Sequence, residues 1–325
     1  MKNIFTIISM LFVFTFSVNA ADLKVAELNW QSGSMLASID AFILEKGYGH
    51  NVEMIPGGTA ATITSMISQG SPNIFSEAWT QTLGDGGKAA INDGTLLLIN
   101  NEVIVGAGEG FYVPDYIATK YGFSSFEQVL EHPELFPHPE DASKGGVVIC
   151  PDGWACQGQQ QNLFRAHDME SKGWKLINPG SAAGLNSFWD GLVSKEKPAF
   201  GYYWSPTVLV GKLGLIQLGW DTPYAGDDNW LNCISKPVDE CKAPEVTRMP
   251  KAETGTIVTQ GLHPEVMIYL SKREMPGDVI TSMLVWSDDN QGSASDAAVE
   301  FLKSHKKVWT SWVTEEAAEK ISSAL

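Results

Sequence analysis

Residues 23–79 read LKVAELNWQSGSMLASIDAFILEKGYGHNVEMIPGGTAATITSMISQGSPNIFSEAW, and their periodicity decides the fold class. Residues 23–30 read as a strand. Over 35–46 the apolar residues recur at helical spacing until Gly47. Residues 52–55 form a second short strand. Gly57-Gly58-Thr59 then opens a helix that runs through Ile67 and stops at Gly70, and 73–79 is a third strand. Strand and helix taking turns in this way predict an α/β architecture with a mostly parallel sheet.

The alternation continues outward. Residues 95–105 read as a fourth, buried strand. A second block begins near Phe111, with a helix over 126–131, a His/Pro-rich loop over 132–139, a strand over 146–150 and a helix from about 157 to 167. Short apolar stretches at 174–178, 188–193, 199–204 and 215–220 carry the pattern on. Residues 223–250 are polar and rich in Gly, Pro and Asp, which predicts a long loop, and 256–259 is one more strand. From His263 to Leu325 the periodicity is helical. Two α/β blocks predict two lobes. Residues 21–110 with about 225–325 would form a discontinuous first lobe, because the helical C-terminus is expected to pack back on it. About 111–224 would form the second lobe, and the cleft between them is the default ligand site.

Residues 1–20 read as a secretory signal peptide. Lys2 precedes an almost wholly apolar run from Ile4 to Val18, and Val18-Asn19-Ala20 supplies small residues for cleavage. The run is too short and wrongly flanked for a membrane span. No Cys follows the signal before Cys150, which points to a freely diffusing periplasmic protein rather than a lipid-anchored one. The four Cys fall into two close pairs, Cys150/Cys156 and Cys233/Cys241, which in an exported chain read as two local disulfides. Zinc is the alternative, although neither spacing is a usual zinc pattern.

Composition narrows the function. The chain carries 22 Lys and Arg against 38 Asp and Glu, a formal net charge of −16. That balance excludes nucleic acid and anionic membrane as partners, since both reward cationic surfaces. No G-x-S-x-G, H-E-x-x-H or G-x-x-x-x-G-K motif is present, and Gly106-Ala107-Gly108-Glu109-Gly110 lacks dinucleotide spacing. The Asp-rich turns at 226–229 and 287–290 read as solvated loops rather than metal sites, and no metal or other cofactor is expected.

The tryptophans say more. Trp30, Trp79 and Trp204 each stand at the C-terminal end of a predicted strand, and Trp154 lies in a turn just before a helix. Carboxyl ends of strands face the ligand crevice in α/β sheets. A box of indole faces suits a quaternary ammonium group, which has no N–H to satisfy and exchanges hydration for cation–π attraction. Each wall contributes about 0.5–2 kcal/mol. Stacking on a sugar ring is the competing use.

Three segments resemble those of the substrate-binding proteins of ABC importers for glycine betaine, proline betaine, choline and related osmolytes. They are Phe75-Ser76-Glu77-Ala78-Trp79, Cys150-Pro151-Asp152-Gly153-Trp154-Ala155-Cys156 and Phe200-Gly201-Tyr202-Tyr203-Trp204-Ser205-Pro206. The resemblance implies the periplasmic solute-binding fold, two α/β lobes joined by two crossings (type II), with no catalysis. It implies an aromatic cage of Trp79, Trp154 and Trp204 with Trp30 as a fourth wall, and a disulfide between Cys150 and Cys156. It also implies that the backbone N–H groups of Ala155 and Cys156 receive a ligand carboxylate at a helix N-terminus. Members that use a His four residues after the first cage Trp differ here, where Leu83 stands. Glu109 is a further departure: a carboxylate near the cage would repel a betaine and favour choline or trimethylamine N-oxide. The expected ligands are glycine betaine, trimethylamine N-oxide and choline, closely ranked in that order, captured by a monomer for a membrane permease. An exported hydrolase or lyase using Glu77, Asp152 and Glu109 is the alternative from another class, and a sugar or amino-acid binding protein is a third.

Overall fold

The computed structural model describes residues 22–325, so the signal peptide read at 1–20 lies outside the described residues. The chain begins with β1 (Asp22–Leu28), α1 (Gln31–Phe42), β2 (Asn51–Gly57), α2 (Thr59–Gln69) and β3 (Ile74–Trp79). These are the elements expected from residues 23–79. Their cause is visible in the packing: Met35, Leu36 and Ile39 of α1 are fully buried on one face, and α2 ends where Gly70 takes φ 65°. After α3 (Asp85–Asn92) come β4 (Leu96–Asn100) and β5 (Ile104–Val105).

The single strand expected at 95–105 is thus two. Asn100 Oδ1 accepts from the Glu102 N–H at 2.9 Å, a turn that ends β4. Ile104 then donates its N–H to Thr254 Oγ1, and β5 pairs with β13 (Met275–Pro276) instead of continuing the main sheet. The second block comprises β6 (Gly108–Pro114), α4 (Asp115–Tyr121), α5 (Phe126–Leu130), β7 (Pro137–His138), β8 (Asp141–Val148), α6 (Cys156–Ala166), β9 (Trp174–Ile177), α7 (Ala182–Val193), β10 (Gly201–Ser205), α8 (Val208–Leu213) and β11 (Leu215–Gln217). The His/Pro-rich stretch is not all loop, since β7 pairs antiparallel with β8. The polar stretch 223–250 includes the helical turn α9 (Asp227–Asn229) and Trp230–Ile234.

Two main sheets result, in the orders β2-β1-β3-β12-β4 and β11-β6-β10-β8-β7, with β9 beside β8. They are mixed, which corrects the expectation of mostly parallel sheet. β1 runs parallel to β2 and β3, but β12 (Thr254–Thr259) is inserted antiparallel between β3 and β4. The physical reason is the path of the chain. β12 arrives from the second sheet after a long excursion and enters from the opposite end, without the βαβ crossover that enforces parallel pairing. β6 is likewise antiparallel to both β10 and β11.

The C-terminal helices α10 (Pro264–Lys272), α11 (Gly277–Asp289), α12 (Ala294–Ser304), α13 (Lys306–Trp309) and α14 (Glu315–Ala324) follow β12. They pack on the first sheet, where Tyr269, Phe301, Trp309 and Ile321 share a buried cluster with Val25, Ile74 and Val258. A second cluster surrounds Phe111, Phe126 and Phe200 and includes Trp230, Ile234 and Met249. A third spans both sheets and contains Trp30, Trp79, Trp154 and Trp204.

Candidate functional site

In a strand alternate side chains share a face. On β3 that alternation sends Phe75, Glu77 and Trp79 one way and Ser76 the other. The first face meets Trp30, which caps the start of α1 in extended conformation, φ −131°. Trp30 lies 6.5 Å from the Phe75 ring. Its indole lies back over the helix because residue 33 is glycine: a Cβ there would approach Trp30 Nε1 to 2.7 Å. Glu77 Oε1 accepts from Trp30 Nε1 at 2.7 Å, Trp79 Nε1 at 2.9 Å and Ser32 Oγ at 3.0 Å. Burial pushes the Glu77 carboxyl up to about 7 against these three hydrogen bonds.

The facing walls come from the second sheet. Trp154 occupies the turn from Pro151 to Cys156, where Gly153 takes φ 79°, a conformation open to glycine at little cost. The Cys150–Cys156 disulfide closes that turn, and Cys233–Cys241 closes the other expected loop. Closing so short a loop contributes about 2 kcal/mol on the loop-entropy model. Trp154 Nε1 donates to Asn29 Oδ1 at 3.0 Å, across the cleft. Trp204 stands on β10, directly opposite Glu109 in the antiparallel register with β6. Adjacent walls meet edge to face: Trp30 and Trp154 have ring centroids 5.7 Å apart at 68°, Trp154 and Trp204 5.1 Å apart at 77°.

These residues border one cavity. Its lining is Trp30, Thr59, Trp79, Thr82, Glu109, Trp154, Ala155, Cys156, Tyr202 and Trp204. All seven ligand-binding candidates from the sequence are therefore together. The space is about 20 Å³, between one and two water-sized spheres, so a methylated-ammonium ligand and a sugar ring alike would require the walls to part. α6 starts at Cys156, so its first N–H groups have no intrahelical acceptor and stand at the cavity edge. Leu83 is buried in the same cluster as Trp79.

Glu109 is not a solvated loop residue. It lies within β6, 5% exposed. Its Oε1 accepts from Gln81 Nε2 at 2.8 Å and its Oε2 from Tyr202 O–H at 2.9 Å. Burial raises its carboxyl above the usual range, opposed by those two hydrogen bonds. Trp204 Nε1 is buried with no partner among the described residues. The three carboxylates considered for hydrolysis are not assembled: Glu77 sits behind the indoles, and exposed Asp152 bonds Asn178 and Gln157. Asp288 and Asp289 pair with Lys212 rather than with each other's turn.

Sequence reasoning missed Thr59, Thr82, Tyr202, Gln81 and Asn29. Tyr202 carried a signal, since it stands two residues before Trp204 on one strand and so on the same face. Gln81 and Asn29 carried none, because their partners Glu109 and Trp154 belong to distant segments of the chain.

The comparisons with known proteins bear on family and fold. Residues 21–304 match the family model described as the substrate binding domain of ABC-type glycine betaine transport system. The chain is 24% identical over 332 residues to the trimethylamine N-oxide-binding protein of Pelagibacter ubique (strain HTCC1062), covering 95% of this chain and 99% of that one. It superposes on a choline-binding protein of an ABC transporter in complex with choline at TM-score 0.70, with 15% identity over 93% of this chain and 97% of the other. Lactococcal OpuAC, closed on glycine betaine, gives TM-score 0.65 and 18% identity over 90% and 99%. These likenesses establish the two-lobed solute-binding fold.

Proposed function

The chain belongs to the family of substrate-binding domains of ABC-type glycine betaine transport systems, and from that premise we propose that it captures a small methylated-ammonium osmolyte between its lobes and delivers it to a membrane permease. One observation carries the reading: Trp30, Trp79, Trp154 and Trp204 border a single cavity together with buried Glu109. Four indole walls at about 0.5–2 kcal/mol each supply several kcal/mol for a cation with no N–H groups. Micromolar affinity needs about 8 kcal/mol, so buried methyl area and one polar contact supply the rest.

Glu109 selects among the candidates. An ionised Glu109 repels the carboxylate of glycine betaine, while a protonated one donates to an N-oxide oxygen or a hydroxyl. Trimethylamine N-oxide and choline therefore rank above glycine betaine, which moves from first place to last. The Pelagibacter relative, a trimethylamine N-oxide-binding protein, points the same way.

The division of the chain follows the packing clusters. Residues 22 to about 107 with about 251–325 make the first lobe and the remainder the second. The packing of Trp230, Ile234 and Met249 with Phe111 supports a return crossing near 250. The apolar run at 4–18 supports export to the periplasm, and no helix among the described residues is long and apolar enough to cross a membrane. Calorimetric titration with trimethylamine N-oxide, choline and glycine betaine tests the proposal. Trp79→Ala and Trp154→Ala should each weaken the best ligand at least tenfold, and unchanged affinity in both would remove the cage. Mass spectrometry of recovered ligand should return it unaltered.

A further inference from the structure

Three of the four indole N–H groups around the cavity are held by side-chain oxygens, and two of the three end on one atom. Trp30 Nε1 and Trp79 Nε1 both donate to Glu77 Oε1. The rings sit on different elements, one at the start of α1 and the other at the end of β3. Neither element alone fixes the angle between two long side chains, each free about two torsions. A shared acceptor does. Ser32, two residues after Trp30, adds a third hydrogen bond to the same oxygen and ties α1 into the arrangement.

Glu77 does not line the cavity. It is fully buried behind the walls, and its Oε2 has no partner among the described residues. Its three donors are neutral, and the cation that acts on it, Arg273, is already paired with buried Asp40. When ionised, a carboxylate in this position is a negative charge with no cation of its own, next to a site lined by π faces. Hydrogen bonding of an indole N–H to an anion also pushes electron density into the ring, which deepens the negative face that a cation meets. Burial alone disfavours such a charge, so a bound cation is the partner that would repay its desolvation.

We propose that Glu77 is the positioning residue of this site: it locks Trp30 and Trp79 into one preset pair of walls and biases that pair towards ligands of net positive charge. The ligand half of this inference rests on the cage reading, whereas the locking half is read without ligand. Glu77→Gln keeps an acceptor of the same shape and removes the charge; Glu77→Ala removes both. In the ligand-free protein the indole ¹H–¹⁵N signals of Trp30 and Trp79, assigned with Trp30→Phe and Trp79→Phe, should lie downfield, persist in Glu77→Gln and move upfield together in Glu77→Ala. At pH 8.5, calorimetry should find that Glu77→Gln weakens tetramethylammonium about tenfold and the net-neutral trimethylamine N-oxide less than threefold. Glu77→Ala should weaken both. Indole signals that stay in place in Glu77→Ala overturn the proposal, and so does an unchanged preference between the two ligands in Glu77→Gln. Failure of the wild type to bind either ligand would count against the cage, and the indole spectrum would still decide the locking.

Discussion

In the proposed cage, Glu109 is the single residue expected to govern ligand choice. It stands opposite Trp204 in the β6–β10 register, so its side chain is delivered beside a cage wall by pairing alone. Its two acceptor oxygens take hydrogen bonds from Gln81 and Tyr202, one from each side of the cleft. Burial raises its carboxyl, so the protonated form is more accessible than for an exposed Glu. Glu109→Gln removes the charge and keeps the size. Glycine betaine affinity should then rise about tenfold relative to trimethylamine N-oxide and choline, measured by competition titration. A preference that does not change would detach Glu109 from specificity.

At the scale of elements, β3 organises both faces of the first sheet. One face carries Trp79 to the cavity and Glu77 behind it. On the other face Ser76 Oγ donates to Asp40 Oδ2, at 2.6 Å. Asp40 on α1 also accepts from Tyr269 O–H at 2.6 Å and from Arg273 Nη1. Arg273 Nη2 reaches the Ser76 carbonyl and Thr256 Oγ1, both at 2.7 Å. One fully buried ion pair thus binds α1, β3, β12 and the end of α10. Burial raises the Asp40 carboxyl, and Arg273 opposes that rise. Removing one partner leaves the other charge buried alone, so Arg273→Ala should cost about 3–5 kcal/mol of stability in urea unfolding. A change under 1 kcal/mol would mean that water reaches Asp40.

At the scale of the molecule, the two sheets are drawn together by contacts across the cleft. Trp154 bonds Asn29, Gln159 bonds the Gln81 carbonyl, and Lys236 pairs with Asp85. In the proposed cage the Trp154 bond would both orient a wall and hold the cleft closed. Asn29→Ala should weaken ligand binding three- to tenfold, as expected for the loss of one buried hydrogen bond, and should enlarge the ligand-free radius of gyration in small-angle scattering. If both stay at wild-type values, closure does not run through this bond.

What the sequence determined by itself was local. Periodicity and glycine stops defined β1, α1, β2, α2 and β3, and placed Trp30 and Trp79 at strand ends; the Cys150–Cys156 turn marked Trp154 before any contact was known. Those signals lie within a few residues of one another, where backbone preference and side-chain periodicity act. The tertiary structure alone decided the rest. The direction of β12 depends on where the chain re-enters the first sheet, and the break at Asn100 depends on Thr254 capturing the Ile104 N–H. Burial of Glu109 and Glu77 depends on partners from distant segments, and a residue's charge and role follow from what desolvates it. The excess of eleven Trp over three Arg suggested a cation held by π faces; the carboxylate that fixes two of those faces became visible only when α1 and β3 were packed together.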